Sequence, residues 1–88
     1  MFQILDFYAD WCGPCQAMKP VFQQLEKEYS GKVSFKKVDV EVEGQLAGQF
    51  GIQNIPTFVL TKDGKEVSRR AGATSKDSMK SWIDSNLK

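Results

Sequence analysis

The sequence predicts an α/β domain: a four-stranded mixed sheet with flanking helices, in the order β-α-β-α-β-β-α. Three observations predict it. Two β-patterned runs, Phe2 to Ala9 and Val33 to Val40, are joined by a stretch of helical period, Gln16 to Tyr29. Such a crossover makes a right-handed unit with parallel strands. Two further β-patterned runs, Thr57 to Thr61 and Glu66 to Ala71, flank Lys62-Asp63-Gly64-Lys65, and an Asp-Gly between such runs signals an antiparallel hairpin. An amphipathic stretch after Ser75 closes the chain. At 88 residues, with no internal repeat or linker, residues 1–88 read as one domain.

Each element follows from its own pattern. Ile4-Leu5-Asp6-Phe7-Tyr8 is apolar on both faces apart from Asp6, as in a central strand covered on both sides. Met18, Phe22, Leu25 and Tyr29 recur at helical spacing and form one buried stripe, with Gln23, Gln24, Glu26 and Lys27 on the wet side. Pro20 lies inside this helix, where its missing N–H predicts a kink and a freed Gln16 carbonyl. Gly31 suits the left-handed closing position. In the second strand, Val33, Phe35 and Lys37 point one way and Ser34, Lys36, Val38 and Val40 the other. A short helix from about Glu43 to Phe50 is weakened by Gly44 and Gly48 and closed by Gly51. Ser75 is the expected N-cap of the last helix, whose buried stripe is Met79, Trp82, Ile83 and Leu87.

Composition narrows the function classes. The net charge of +1 makes no electrostatic case for nucleic acid or an anionic membrane, and no run is long enough to span a bilayer. Phe2 to Ala9 contains Asp6 and has no basic region before it, so it does not read as a signal peptide. With no histidine, Ser-His and Cys-His mechanisms and His-containing metal sites drop out. A structural zinc usually needs four protein ligands where the chain has two cysteines, so no metal is expected, the alternative being a metal or iron–sulfur cluster shared between two chains.

Those cysteines lie three apart in Trp11-Cys12-Gly13-Pro14-Cys15, between an apolar strand and a helix. The spacing suits a redox pair in a reducing compartment better than a secreted disulfide scaffold, and the cytoplasm is the expected location. A cysteine at a helix N-terminus meets unpaired N–H groups and the positive end of the macrodipole, which favour the thiolate, the nucleophile of disulfide exchange. Cys15, one turn on, reaches back to Cys12 to close a redox-active disulfide; Cys12 is the expected attacking thiol and Cys15 the resolving one. Pro14 belongs in a first turn, and Gly13 lets a partner's backbone come close. Asp6 is an acid in a buried strand. Desolvation raises its pKa, which suits a proton carrier for Cys15, although a satisfied structural carboxylate is the plainer reading.

The motif and its surroundings, Asp6-Phe7-Tyr8-Ala9-Asp10-Trp11-Cys12-Gly13-Pro14-Cys15, resemble thioredoxins. Lys37-Val38-Asp39-Val40, Ile55-Pro56-Thr57 and Gly72-Ala73 fall where that family has its other landmarks. The resemblance implies a thioredoxin-like fold with strand order 2-1-3-4, Cys12 as the more exposed sulfur, Asp6 as the proton carrier and Lys37 as its charged partner. It also implies a cis Ile55-Pro56 bond, a loop that pairs with an extended substrate, and a flat docking rim of Trp11, Gly72 and Ala73. For Lys37 the alternative is a solvated edge lysine, and for Trp11 a packing role. Asp10 reads as a solvated charge beside the site, and Arg69-Arg70 with Lys65 as a basic hairpin edge. Gln16 stands where a lysine or arginine often follows the motif, and Tyr8 where tryptophan is common.

Thioredoxins usually begin with a further strand and helix, whereas this sequence starts at the central strand. That leaves strand 33–40 as an edge, blunted by Lys36 and Lys37, and predicts a monomer with weak dimerisation through that edge. The implied function is a protein-disulfide reductase serving electron transport and cell redox homeostasis. Its substrates are disulfide-containing proteins, and it is recycled by an NADPH- or ferredoxin-linked thioredoxin reductase. No cofactor is bound, since no Gly-rich phosphate loop follows a strand. The alternative is a thioredoxin-fold binding module or subunit whose redox activity is incidental. A histidine between the cysteines, common in oxidising relatives, is absent, and the motif with Asp6 fits thioredoxin better than glutaredoxin.

Overall fold

The computed structural model describes residues 1–88. Its elements are β1 (Phe2–Tyr8), α1 (Gly13–Glu28), β2 (Val33–Asp39), α2 (Gly44–Gln49), β3 (Thr57–Lys62), β4 (Lys65–Ala71) and α3 (Lys76–Asn86). They form a four-stranded mixed sheet in the order β2-β1-β3-β4. β1 pairs with β2 in parallel and with β3 antiparallel, and β3 pairs with β4 antiparallel. The element order and topology are those expected from the sequence.

Alternation along the strands divides the core in two. Ile4, Phe58 and Leu60 pack with Met18, Phe22 and Leu25 of α1 and Met79 and Ile83 of α3. Leu5, Phe7, Val38 and Val59 face the other way, against Ala47 of α2 with Leu46 and Phe50 beside it. β1 is therefore covered on both faces, as its pattern predicts. The two helices on the first face are tied at one end, where the Tyr29 hydroxyl donates to Asp84 at 2.6 Å and Lys80 bonds Glu28 at 2.9 Å.

Several boundaries differ from the sequence reading, each for a local reason. α1 starts at Gly13, three residues earlier than the apolar period indicates, because Pro14 presets the backbone of a first turn and Cys12 caps it. Pro20 lies inside α1 as expected, on its exposed side, and the helix runs on to Glu28. The hairpin turn is only Asp63-Gly64: both have positive φ, 53° and 85°, so Lys62 and Lys65 pair as strand residues. Trp82 is half-buried rather than core, with its indole N–H donating to Ser68 on β4 at 3.0 Å. β2 and β4 are the sheet edges, and Lys36 on β2 is exposed, 4.0 Å from Glu43. No helix is long and apolar enough to cross a membrane.

Phe58 is fully buried at the centre of the larger cluster and stacks on Phe22 with ring centroids 6.2 Å apart. Phe58→Ala is expected to destabilise the fold by ~3–5 kcal/mol. In urea titration the midpoint should fall with the slope unchanged; a changed slope would mean that the variant has lost more than one packing site.

Candidate active site

The site begins where β1 ends. Ala9 is fully buried, and its carbonyl accepts the N–H of Cys12 at 3.2 Å, which turns the chain into α1. Cys12 keeps extended dihedrals, φ −86° and ψ 114°, as an N-cap residue does. Its Sγ accepts the N–H of Cys15 at 3.2 Å, in the place a serine or aspartate oxygen usually takes. A thiolate accepts such a bond more strongly than a thiol. The capping bond thus brings the two cysteines together and directs the Cys15 N–H at Cys12 Sγ.

Both cysteines are free thiols. Cys12 is only 6% exposed against 4% for Cys15, so the expected contrast in exposure is nearly absent. The reason is the facing loop: Ile55 packs against the cysteines, and its carbonyl lies 3.9 Å from Cys12 Sγ, within reach of the S–H. The Ile55-Pro56 bond is cis. The Pro56 carbonyl accepts the N–H of Gly72 at 2.8 Å, which ties this loop to Gly72-Ala73. Gly72 has φ +88°, a conformation that favours glycine.

Around the buried sulfurs the surface is open. Trp11 is 70% exposed, which answers the packing alternative, and Gly13, Pro14 and Ala73 are exposed too. The largest cavity, about 460 Å³, is lined by Arg70, Asp77, Ser78, Ser81, Trp82 and Ser85 and includes neither cysteine. The cysteines therefore lie beside the exposed residues Trp11, Gly13, Pro14 and Ala73 and not in that cavity.

Beneath them lies Asp6, 4% exposed, with Oδ1 buried and without a hydrogen-bond partner. Burial pushes its pKa from 3.8 up to about 6, and the Lys37 charge only partly opposes this. The Cys15 thiol is pushed up to about 11, chiefly by burial and then by its hydrogen bond with Cys12; the charge of Asp6 adds to the effect. Lys37 stands opposite Asp6 in the β1–β2 register. Its side chain is exposed, and its Nζ lies 4.8 Å from the centroid of the Tyr8 ring.

Sequence reasoning missed two contacts. One is this Lys37–Tyr8 contact; the other is the bond from Gln16 Nε2 to the Asp10 carbonyl at 2.9 Å, which braces the turn into α1. Both depend on side-chain direction in three dimensions. The only signals were the unusual tyrosine and glutamine at those positions.

Comparison with known proteins agrees with this geometry. The family model described as Thioredoxin matches residues 2–85. Thioredoxin C-2 of Corynebacterium nephridii is 40% identical over 84 residues, covering 96% of this chain and 78% of that protein. A thioredoxin of Chlorobaculum thiosulfatiphilum matches with the same identity and coverage. Among solved structures, a mutant thioredoxin from Halobacterium salinarum NRC-1 superposes with a TM-score of 0.89 at 37% identity, covering 99% of this chain and 75% of that one.

The burial of Asp6 has a stability consequence. Between pH 3.8 and about 6 the folded chain holds a proton that the unfolded chain has released, so stability falls as pH rises through that window and then levels. Asp6→Asn should remove this slope and add up to ~3 kcal/mol at neutral pH, from ~1.4 kcal/mol per pKa unit. Denaturant unfolding of both proteins at pH 4 and pH 7 checks this. Parallel pH dependence in the two would show that Asp6 is not the group responsible.

Proposed function

The chain belongs to the thioredoxin family of thiol–disulfide oxidoreductases, and from that premise we propose that it reduces disulfide bonds in proteins. The observation that carries the reading is the capping bond from the Cys15 N–H to Cys12 Sγ, set beside an exposed rim. The Cys12 thiolate attacks one sulfur of the substrate disulfide, forming a mixed disulfide and releasing the other sulfur as a thiolate. Cys15 then loses its proton and attacks Cys12 Sγ, which forms the Cys12–Cys15 disulfide and releases the second substrate sulfur. Two electrons pass from the dithiol to the substrate, and the protons of the two cysteines end on its two thiols.

Asp6 is the proton acceptor for Cys15 in this reading, through water. Its pKa of about 6 leaves it mostly ionised at neutral pH yet able to hold a proton transiently. Lys37 tempers that charge from β2. Trp11, Gly13, Pro14, Ile55, Pro56, Gly72 and Ala73 form the surface on which substrate lies. When Cys12 is a thiolate it no longer donates to Ile55, so that carbonyl is free to accept an amide N–H from an extended substrate segment. Recycling of the disulfide falls to a thioredoxin reductase, linked to NADPH or to ferredoxin. This chemistry suits a reducing compartment, the cytoplasm.

Trapping tests the assignment. Cys15→Ser is expected to accumulate mixed disulfides through Cys12, while Cys12→Ser loses reductase activity by several orders of magnitude. Asp6→Asn is expected to slow resolution of the mixed disulfide more than its formation. Activity that survives Cys12→Ser with Cys15→Ser would instead mark a binding module. The potential of the couple should lie near the cytosolic glutathione poise, roughly −220 to −320 mV; a value above roughly −180 mV would make the pair an oxidant.

A further inference from the structure

Lys37 is the β2 residue in register with Asp6, yet it forms no ion pair with that carboxylate. Its ammonium lies over the ring of Tyr8, 4.8 Å from the centroid. Tyr8 is two residues along β1 from Asp6 and shares its face of the sheet. The ring is itself held, half-buried against the cluster of Ala9, Cys12 and Cys15. The carboxylates of Asp39, Asp10, Asp6 and Glu43 all act on Tyr8, so an ammonium over its ring has both a π face and a surrounding negative field to hold it.

We propose that Tyr8 is a positioning residue for proton transfer: its ring holds the Lys37 ammonium out of ion-pair reach of Asp6, so the carboxyl remains able to take a proton from Cys15. The groups around Asp6 bear this out. From β2 it meets Lys37; from the start of α1, the charge of Asp6 acts on Cys15; its β3 partner is the apolar Phe58. Lys37 is therefore the cation that acts on Asp6, partly opposing the effect of burial. A flexible, exposed lysine with no ring to rest on would reach the unpartnered Oδ1 and hold the acid ionised. The proposal rests on Asp6 being the proton carrier, but its test does not use turnover, so the two ideas fail separately.

The test is the titration of the Asp6 carboxyl carbon, followed by NMR in the reduced protein. Tyr8→Phe keeps the ring and should leave the midpoint unchanged. Tyr8→Leu should lower it by about one unit or more, as Lys37 turns to the carboxylate. Tyr8→Leu with Lys37→Met should abolish that fall. A midpoint unmoved in Tyr8→Leu overturns the proposal, and so does a fall that persists without Lys37, since water entering beside Asp6 would then be the cause. Lys37→Met alone changes an exposed side chain and carries little risk to folding. It should raise the midpoint by less than about one unit; a larger rise would mean that the ammonium already pairs with Asp6, which also overturns the proposal.

Discussion

β1 runs between β2 and β3 with helices over both of its faces, so each of its side chains must be apolar or be stabilised by its neighbours. Ile4, Leu5 and Phe7 meet that demand by packing. Asp6 does not, and its carboxyl is driven toward the neutral form. Where the strand leaves the sheet, Ala9 is buried completely and its carbonyl receives the Cys12 N–H, so the chain turns at a fixed point and direction. Position and chemistry therefore share one cause. The strand that centres the sheet also carries the acid beneath the cysteines and delivers Cys12 to the first turn of α1.

That arrangement opposes stability to reactivity. A shift from 3.8 to about 6 corresponds to ~3 kcal/mol against the charged carboxylate, a large share of the ~5–15 kcal/mol by which domains are stable. The packing of Phe58, Leu60, Met79 and Ile83 against α1 offsets it, since each fully buried apolar side chain contributes ~1.5–3 kcal/mol. A local rule broken on the most constrained strand, with compensation elsewhere in the core, is the pattern of a functional group.

The features legible in the sequence were those set by local period and local turn chemistry. Met18, Phe22 and Leu25 form a stripe wherever their helix packs, and Asp63-Gly64 turns a hairpin by itself. The cysteine spacing likewise announces its own contact across one helical turn. What was not legible depends on the direction of long side chains in the assembled fold. Lys37 was expected beside Asp6 only through the family resemblance, and the β1–β2 register places it there; that it leans to Tyr8 was not legible. That Cys12 is nearly as buried as Cys15 was not legible for a related reason. The loop that covers it, at Ile55, is 43 residues away along the chain.

Two glycines of the site separate what the fold requires from what the chemistry requires. Gly72 is demanded by its backbone, with φ +88° at the point where the loop meets the Pro56 carbonyl. Gly13 is demanded by neither backbone nor packing: its φ is not positive, and a Cβ built there meets no atom within 4 Å. A glycine at this first helical position thus serves nothing inside the chain. It leaves bare backbone beside a sulfur that is only 6% exposed, the atom that the proposed mechanism brings within bonding distance of a substrate sulfur. In the proposed exchange with a protein disulfide, the constraint at Gly13 lies outside the molecule, in the close approach of a partner's main chain, with Trp11 standing 70% exposed beside it.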